Sequence, residues 1–199
     1  MAAPVVRNGN SNLGTRLREA RLRHELSLEK VSDLTGLSIS MISKIERGVT
    51  SPSMRSLLAL SNGLNVKLDM LFEPPADQSH RHEQPENEEL VVRASARRRL
   101  DFGAKRLVKE HLTPEPLGTL ELLLITLAPG GSTGDDVFSH KGEEGGLVLT
   151  GVLELWVDDK KMTLYPGDSF SFCSERPHRY RNAAEVETKV LWANTPPVY

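Results

Sequence analysis

The sequence predicts two domains of different fold class, an all-α helical bundle followed by an all-β barrel. Apolar residues recur at helical spacing up to about position 72. Beyond position 90 the apolar runs are short and separated by turn residues, which is typical of an antiparallel sandwich or barrel. Residues 73–89, between these regions, contain three prolines and many charges, a composition typical of a linker.

These shifts in composition define the expected boundaries. We expect a disordered N-terminal tail at 1–12, the helical domain at 13–72, the linker at 73–89 and the β domain at 90–199. The first 72 residues carry ten Lys and Arg against six Asp and Glu, whereas the remainder carries fifteen against twenty-one. A basic front and an acidic back indicate different partners for the two domains.

Several classes of protein are disfavoured by the sequence. No apolar run approaches the roughly 20 residues that cross a bilayer, and the polar N-terminus has no signal-peptide core. Cys173 is the single cysteine, so no intrachain disulfide can form, and we expect it to be a buried, small apolar residue. We therefore expect a cytoplasmic protein without a membrane partner.

The helical domain reads as short helices with recognisable ends. Ser27 and Gly36 fit the N-cap and the end of one helix, and Ser38 and Gly48 fit those of the next. Ser51-Pro52 fits the start of another helix. The apolar positions at helical spacing are Leu13, Leu17 and Ala20, then Leu28, Val31 and Leu34, then Ile42 and Ile45, then Leu57, Leu60 and Leu64.

Two of these helices meet at the tight turn Thr35-Gly36-Leu37, which predicts a helix-turn-helix. In this motif the start of the second helix enters the major groove of DNA. Lys44 suits a phosphate or guanine, Ile39 a thymine methyl, and the helix starts can bind phosphates. The predicted DNA-binding residues are Ser27, Leu28, Ser38, Ile39, Ser40, Met41, Ser43 and Lys44. A plain helical bundle for protein contacts is the alternative.

Residues 14–72 resemble the XRE (Cro/CI, lambda-repressor-like) family. The resemblance includes Leu17-Arg18-x-x-Arg21, Thr35-Gly36-Leu37-Ser38, Ser43-Lys44-Ile45-Glu46-Arg47-Gly48, and Pro52 opening a fourth helix. It implies a structural ion pair between Arg21 and Glu46, which holds orientation more than it adds stability. It also implies binding to double-stranded operator DNA as a homodimer.

The second half contains strand-like runs such as 120–125, 147–149, 153–157 and 189–192. It resembles the cupin superfamily, a double-stranded β-helix or jelly roll. His140, Glu144 and Gly151 match the first motif of that family, and His178 and Asn182 match the second. The resemblance implies a divalent metal (Zn, Ni, Mn or Fe) bound by the two histidines and the glutamate.

Phe138 occupies the position of the first histidine of the usual pair, so the pocket could instead accept an organic ligand. The candidate ligand-binding residues are Phe138, His140, Glu143, Glu144, His178 and Trp156. Acidic residues near the expected pocket mouth, Asp135, Asp136 and Glu143, favour a cationic ligand, unless they are solvated loop charges. His80 and His82 lie in the linker and are expected to be solvated.

An XRE domain joined to one cupin domain is similar to repressors of the putrescine-utilisation type. This resemblance implies a DNA-binding transcriptional regulator that acts as a repressor. Its operator affinity would depend on a small metabolite bound in a cupin domain that also dimerises. A polyamine or an amino-acid-like compound fits such a sensor. Two alternatives remain: a metal-dependent cupin enzyme with an appended DNA-binding domain, and an antitoxin-like protein-binding module. We expect no enzymatic activity.

Overall fold

A computed structural model describes residues 9–66, 68–71, 90–114 and 118–198. The first eight residues of the predicted tail and the predicted linker, with His80 and His82, lie outside the described residues. Among the residues described, no helix has the length and apolar character needed to cross a membrane.

The N-terminal half forms four helices, as the periodicity predicts. They are α1 (Gly9–Arg23), α2 (Leu28–Thr35), α3 (Ile39–Glu46) and α4 (Met54–Leu64), followed by a 3₁₀ turn at Leu68–Leu71. One apolar face of each helix is buried in a common core, which removes that surface from water and drives the packing. The buried side chains of this core include Leu17, Val31, Ile42, Ile45, Leu57 and Leu60.

Helix α1 begins earlier than the sequence predicts. We expected a disordered tail up to residue 12, but the helix starts at Gly9. The expected boundary rested on Leu13, the first apolar residue at helical spacing. Backbone hydrogen bonds can extend a helix through polar residues, and residues 9–12 carry no apolar signal that would reveal it.

Side-chain caps set the ends of the next helices. The Ser27 hydroxyl accepts a hydrogen bond from the Lys30 amide (3.1 Å), and the Ser38 hydroxyl accepts one from Met41 (3.2 Å). Gly36 ends α2 in the left-handed region, with φ of 70°. These three predictions are confirmed.

The start of α4 was predicted wrongly. We expected Ser51 as the N-cap and Pro52 as the first helical residue. Instead Ser53 is the N-cap: its hydroxyl accepts from the Ser56 amide (3.2 Å), and the helix begins at Met54. Ser51 and Ser53 are both good caps, and only the path of the chain decides between them.

The C-terminal half is all-β, as predicted, and forms two sheets. A six-stranded sheet has the order β1-β2-β3-β9-β4-β7, and a three-stranded sheet has the order β6-β5-β8. All the strand pairs are antiparallel. The strands are β1 (Arg99–Asp101), β2 (Leu107–His111), β3 (Glu121–Leu127), β4 (Glu143–Thr150), β5 (Leu153–Val157), β6 (Lys160–Leu164), β7 (Ser169–Cys173), β8 (His178–Asn182) and β9 (Thr188–Thr195).

The inner faces of the two sheets pack against each other. Tyr180 of β8 lies 4.7 Å, between ring centroids, from Trp192 of β9. Phe172 of β7 similarly lies 5.0 Å from His178 of β8. Because side chains alternate along a strand, every second residue of β2, β3 and β9 is buried, apart from the strand ends.

Alternation along the strands also contradicts two predictions, that Trp156 lines the ligand pocket and that Cys173 is buried. Trp156 lies between the inward-facing Leu155 and Val157 on β5, so it belongs to the outer face. There the Arg179 guanidinium covers its ring at 3.8 Å from the centroid. Cys173 follows the buried Phe172 on β7 and is exposed instead of buried.

The two domains touch through the loop between β3 and β4. The Met54 amide, at the start of α4, donates to the carbonyl of Thr133 (3.3 Å). Gly134, with φ of 109°, is buried beside this contact, and a Cβ there would lie 3.5 Å from Cβ of Ser53. Thr133 is itself fixed to β8, because its amide donates to the carbonyl of Tyr180 (3.1 Å).

Candidate functional site

Helix α3 presents its first turns to solvent. Ile42 and Ile45 are buried against the helical core, which turns the opposite face of the helix outward. Ser38, Ser40 and Lys44 are exposed on that face, and Ser43 is half-buried. Ile39 and Met41 are unusually open for apolar side chains, with exposed fractions of 41% and 38%. An accessible helix of this kind can enter a major groove.

The start of α2 was also predicted to contact DNA. Ser27 is exposed and Leu28 is half-buried. The Ser27 cap uses the Lys30 amide, and the Ser38 cap uses the Met41 amide. Other amides in the first turn of each helix have no partner within the helix and can donate to phosphate oxygens.

An ion pair holds α1 and α3 together, as the family resemblance implied. Nε of Arg21 donates to Oε1 of Glu46 (2.7 Å), and Nη2 donates to Oε2 (3.0 Å). Nη1 also donates to the carbonyl of Leu26 (2.9 Å). The hydrogen bonds to Glu46 raise the pKa of Arg21, so the guanidinium stays charged. The bidentate geometry fixes the angle at which α3 leaves the bundle.

In the β domain, three predicted metal ligands come together at one end of the interior. Nε2 of His140 lies 2.9 Å from Oε1 of Glu144, and Nε2 of His178 lies 3.3 Å from Oε2 of the same carboxylate. The three groups offer ligand atoms within 4.8 Å of one another. His178 is fully buried, and Glu144 is 6% exposed.

The hydrogen bonds of the two imidazoles indicate what this cluster can hold. Nδ1 of His140 faces the carbonyl of Lys141 (3.2 Å), and Nδ1 of His178 faces that of Arg176 (2.9 Å). A carbonyl can only accept, so each Nδ1 carries a proton and each Nε2 of a neutral ring exposes a lone pair. Burial lowers the pKa of His178 and favours its neutral ring.

The neutral ring of His178 therefore points a lone pair at the Glu144 carboxylate, whereas Nε2 of His140 is hydrogen-bonded to Oε1 of that carboxylate (2.9 Å). Among the described residues, Nε2 of His178 and Oε2 of Glu144 have no hydrogen-bond partner although both are buried. A cation between these atoms would satisfy them. The second imidazole nitrogen of metal-binding histidines is commonly tied to a backbone carbonyl, as it is here. The residues present thus fit a divalent metal.

Phe138 closes one side of this cluster. Its ring centroid lies 4.2 Å from that of His178, in an edge-on arrangement, and its side chain is 5% exposed. The amide of Phe138 donates to the carbonyl of His178 (3.0 Å), and the reverse bond is 2.9 Å. The phenyl ring supplies an apolar wall where the family motif has a ligand, so three protein ligands are available.

Other predicted ligand-binding residues do not join the cluster. Glu143 is exposed, because the neighbouring Glu144 faces inward and alternation sends Glu143 to the outer face of β4. Trp156 does not join the cluster either, because alternation along β5 places it on the outer face. Asp135 and Asp136 are exposed in the loop that leads to Phe138. That these loop acids favour a cationic ligand stays a prediction.

Several polar residues buried in the β domain were not predicted from the sequence. Lys109 is 3% exposed, and Glu121 is fully buried. Asn194, 1% exposed, donates through Nδ2 to Oε2 of Glu121 (2.7 Å). Lys109 lies two residues from the buried Leu107 on β2, and Glu121 lies two residues from the buried Leu123 on β3, so each shares a strand face with a buried leucine. This spacing was the one available signal, and a charged residue at such a position is normally assigned to the solvent side.

Comparison with known proteins agrees with this architecture. A helix-turn-helix family model matches residues 17–71, and a cupin domain model matches residues 123–194. The HTH-type transcriptional regulator PuuR of Escherichia coli (strain K12) is 28% identical over 187 residues, covering 94% of this chain and 96% of PuuR. SutR, another HTH-type transcriptional regulator of that strain, is 27% identical over 174 residues, covering 87% and 88%.

A solved structure extends the likeness to three dimensions. The crystal structure of an HTH_3 family transcriptional regulator from Vibrio cholerae superimposes with a TM-score of 0.63 at 25% identity, covering 95% of this chain and 97% of that one. The chain therefore joins an XRE-type helix-turn-helix domain to a cupin domain. It is a DNA-binding transcriptional regulator, similar to PuuR and SutR, as the sequence predicts.

Proposed function

We propose that this regulator reads its operator with the exposed face of α3 and acts as a repressor in the cytoplasm. The observation that carries the proposal is the accessible surface formed by Ser38, Ile39, Ser40, Met41 and Lys44. Small serines allow the helix to approach base edges closely, and Lys44 supplies a cation for phosphate or guanine. Ser27, Leu28 and Ser43 border this surface.

Selection of duplexes from a random library, followed by gel-shift titration, tests this assignment. We expect Ser40→Ala together with Lys44→Ala to weaken operator binding at least about tenfold, since single contacts to DNA contribute about 1–3 kcal/mol. Lys160→Ala, which removes an exposed lysine of the β domain, is the charge-matched control. Equal operator affinity of the double variant and the wild type would refute this reading surface.

The regulator is proposed to bind DNA as a homodimer. The outer face of the six-stranded sheet carries an apolar patch: Leu147 and Leu149 are exposed by 36% and 43%, and Leu122, Leu124 and Leu191 are half-buried. A second copy would cover this face and set the spacing of the two α3 helices. Leu147→Asp with Leu149→Asp should give monomers in light scattering, whereas Val186→Asp, in an exposed loop, should leave dimers.

The β domain is proposed to hold a divalent metal (Zn, Ni, Mn or Fe) on His140, Glu144 and His178. The support is a pair of buried atoms, Nε2 of His178 and Oε2 of Glu144, that have no hydrogen-bond partner in the part of the chain that the structure describes. When bound, the metal would supply a Lewis acid that a ligand oxygen or nitrogen can approach. Phe138 would shield the site on one side.

A small metabolite, a polyamine or an amino-acid-like compound, is proposed to bind in the same interior and to change operator affinity. The loop from Ser132 to Phe138 supports such coupling, because β8 holds it at both ends. Ser132 forms a bridge with Arg181, and Phe138 forms one with His178. The middle of the loop contacts the start of α4 through Thr133. A ligand that displaces His178 would therefore act on the helical domain by way of one loop.

A further inference from the structure

Asn194 lies beside the metal cluster, although it is outside both cupin motifs. It is paired with Glu144 in the register between β9 and β4. Both side chains are buried, with exposed fractions of 1% and 6%, so they enter the interior from neighbouring strands. Directly paired residues have Cβ atoms about 4.5–5.5 Å apart. The amide of Asn194 is therefore a near neighbour of the carboxylate in the cluster.

Hydrogen bonds to Glu121 fix the orientation of this amide. Nδ2 of Asn194 donates to Oε2 of Glu121 (2.7 Å), which lies on β3. The same oxygen accepts from the amide of Val198 (3.3 Å), so it acts as an acceptor and Asn194 presents its NH2 group to it. Strand β9 lies between β3 and β4. Because the nitrogen and the oxygen of a planar amide diverge, Oδ1 faces away from β3, on the side of Glu144.

Oδ1 of Asn194 is buried and has no hydrogen-bond partner within the described ranges. Oε2 of Glu144 and Nε2 of His178 share this property. An amide oxygen and a carboxylate oxygen only accept, and the neutral ring of His178 offers a lone pair at Nε2, so these atoms cannot satisfy one another. Buried acceptors without partners cost stability. One cation among the three atoms would satisfy them all.

We propose that Asn194 supplies a fourth protein ligand of the metal site through Oδ1, beside His140, Glu144 and His178. It would replace the histidine that the cupin motif has at the position of Phe138. The inference rests on the proposed function, because it assumes that the three motif residues bind a metal. Carbonyl and carboxylate oxygens suit Mn²⁺, whereas imidazole suits Zn²⁺, so an amide ligand shifts the selectivity of the site towards Mn²⁺.

Removal of the amide oxygen tests the ligand. The probes are Mn²⁺ and Zn²⁺, each titrated calorimetrically into the full chain after treatment with a chelator. Loss of even an outer-shell partner costs about 10–100-fold in metal affinity, so we expect Asn194→Leu to bind Mn²⁺ at least about tenfold more weakly. The loss for Zn²⁺ should be smaller. Equal Mn²⁺ affinity of Asn194→Leu and the wild type would overturn the inference.

Asn194→Asp separates coordination from a structural role of the same side chain. Both variants remove Nδ2, and with it the hydrogen bond to Glu121, but aspartate keeps an oxygen at the position of Oδ1. We therefore expect Asn194→Asp to bind Mn²⁺ at least as tightly as the wild type. Equal losses in the two variants would mean that Asn194 only positions Glu121, which would contradict coordination. Asn62→Leu, at an exposed asparagine of α4, is the matched control and should leave metal affinity unchanged.

Comparison with His178→Ala separates this inference from the proposed function. If the wild type binds no metal, or if His178→Ala binds metal as tightly as the wild type, the proposed site is wrong and the inference falls with it. If His178→Ala loses the metal but Asn194→Leu retains it, the site of His140, Glu144 and His178 stands and only the fourth ligand is wrong. Weaker binding in both variants, with recovery in Asn194→Asp, is the expected result.

Discussion

At the scale of single residues, Lys109 makes folding sensitive to pH. Its pKa is about 7 in the folded protein, because burial disfavours the ammonium, and about 10.4 in an unfolded chain. Between these values the unfolded chain binds a proton that the folded chain does not. The free energy of unfolding should therefore rise with pH, by about 2 kcal/mol between pH 7 and 9.

Urea denaturation of wild type and Lys109→Met at several pH values measures this contribution. The variant lacks the titrating group, so its unfolding free energy should be nearly independent of pH over the same interval. It should also exceed that of the wild type below pH 7, where the buried ammonium is a penalty. Parallel pH profiles for the two proteins would contradict this role of Lys109.

Metal binding is tested at residue scale by changing one histidine at a time. His140→Ala and His178→Ala should each reduce the metal content of protein purified without chelator, from about one divalent ion per chain to a small fraction, because two ligands form a much weaker site. Elemental analysis is the measurement. His24→Ala, at an exposed histidine, should retain the metal. Equal metal content in all three variants would exclude the cluster as the site.

Part of the interior could be predicted from the sequence. The resemblance to the cupin motifs identified His140, Glu144 and His178, which the structure brings together. It could not identify Lys109 or Glu121, because alternation along a strand gives two faces without stating which one is buried. Which face is buried depends on pairing with neighbouring strands, and those strands are distant in the sequence.

At the scale of elements, Gly14 lets α1 approach α3 closely. A Cβ at this position would overlap the carbonyl oxygen of Ile45 and lie 2.7 Å from that of Glu46. Gly14→Ala should therefore force the two helices apart and destabilise the helical domain by about 1–3 kcal/mol. Thermal unfolding measures the loss. Gly118→Ala, where a Cβ would meet open space, should have little effect; equal stability of both variants would rule out this close contact.

Caps and turns allowed most helix positions to be predicted, and the errors have local causes. The turn between α2 and α3 could be predicted because Gly36 ends α2 in the left-handed region and Ser38 is the N-cap of α3. The start of α4 was predicted at Pro52 but lies at Met54. Ser51 and Ser53 are both suitable N-caps, and tertiary packing decides between them.

At the scale of the whole molecule, the contact between Thr133 and Met54 should be visible in amide hydrogen exchange. Gly134→Val would strain a residue with φ of 109° and crowd Lys105 and Ser53, so exchange of the Met54 amide should accelerate. The Leu57 amide, bonded to the Ser53 carbonyl within α4 (2.9 Å), should remain protected.

Gly167→Val provides a matched control for that experiment. Its φ of 94° imposes comparable strain, but a Cβ there would meet no neighbouring atom within 4 Å. Exchange at Met54 should be unchanged in this variant. Similar Met54 exchange in wild type and Gly134→Val would show that the two domains are not linked through this loop.

The placement of the two tryptophans equips the chain with separate optical reporters. Trp192 is 2% exposed and packs 4.7 Å from Tyr180, whereas Trp156 lies on the outer face beneath Arg179. Iodide should quench the emission of Trp156 far more than that of Trp192. The unquenched fluorescence would then report occupancy of the barrel without an attached dye, and the quenched fraction would report what touches the outside of the smaller sheet.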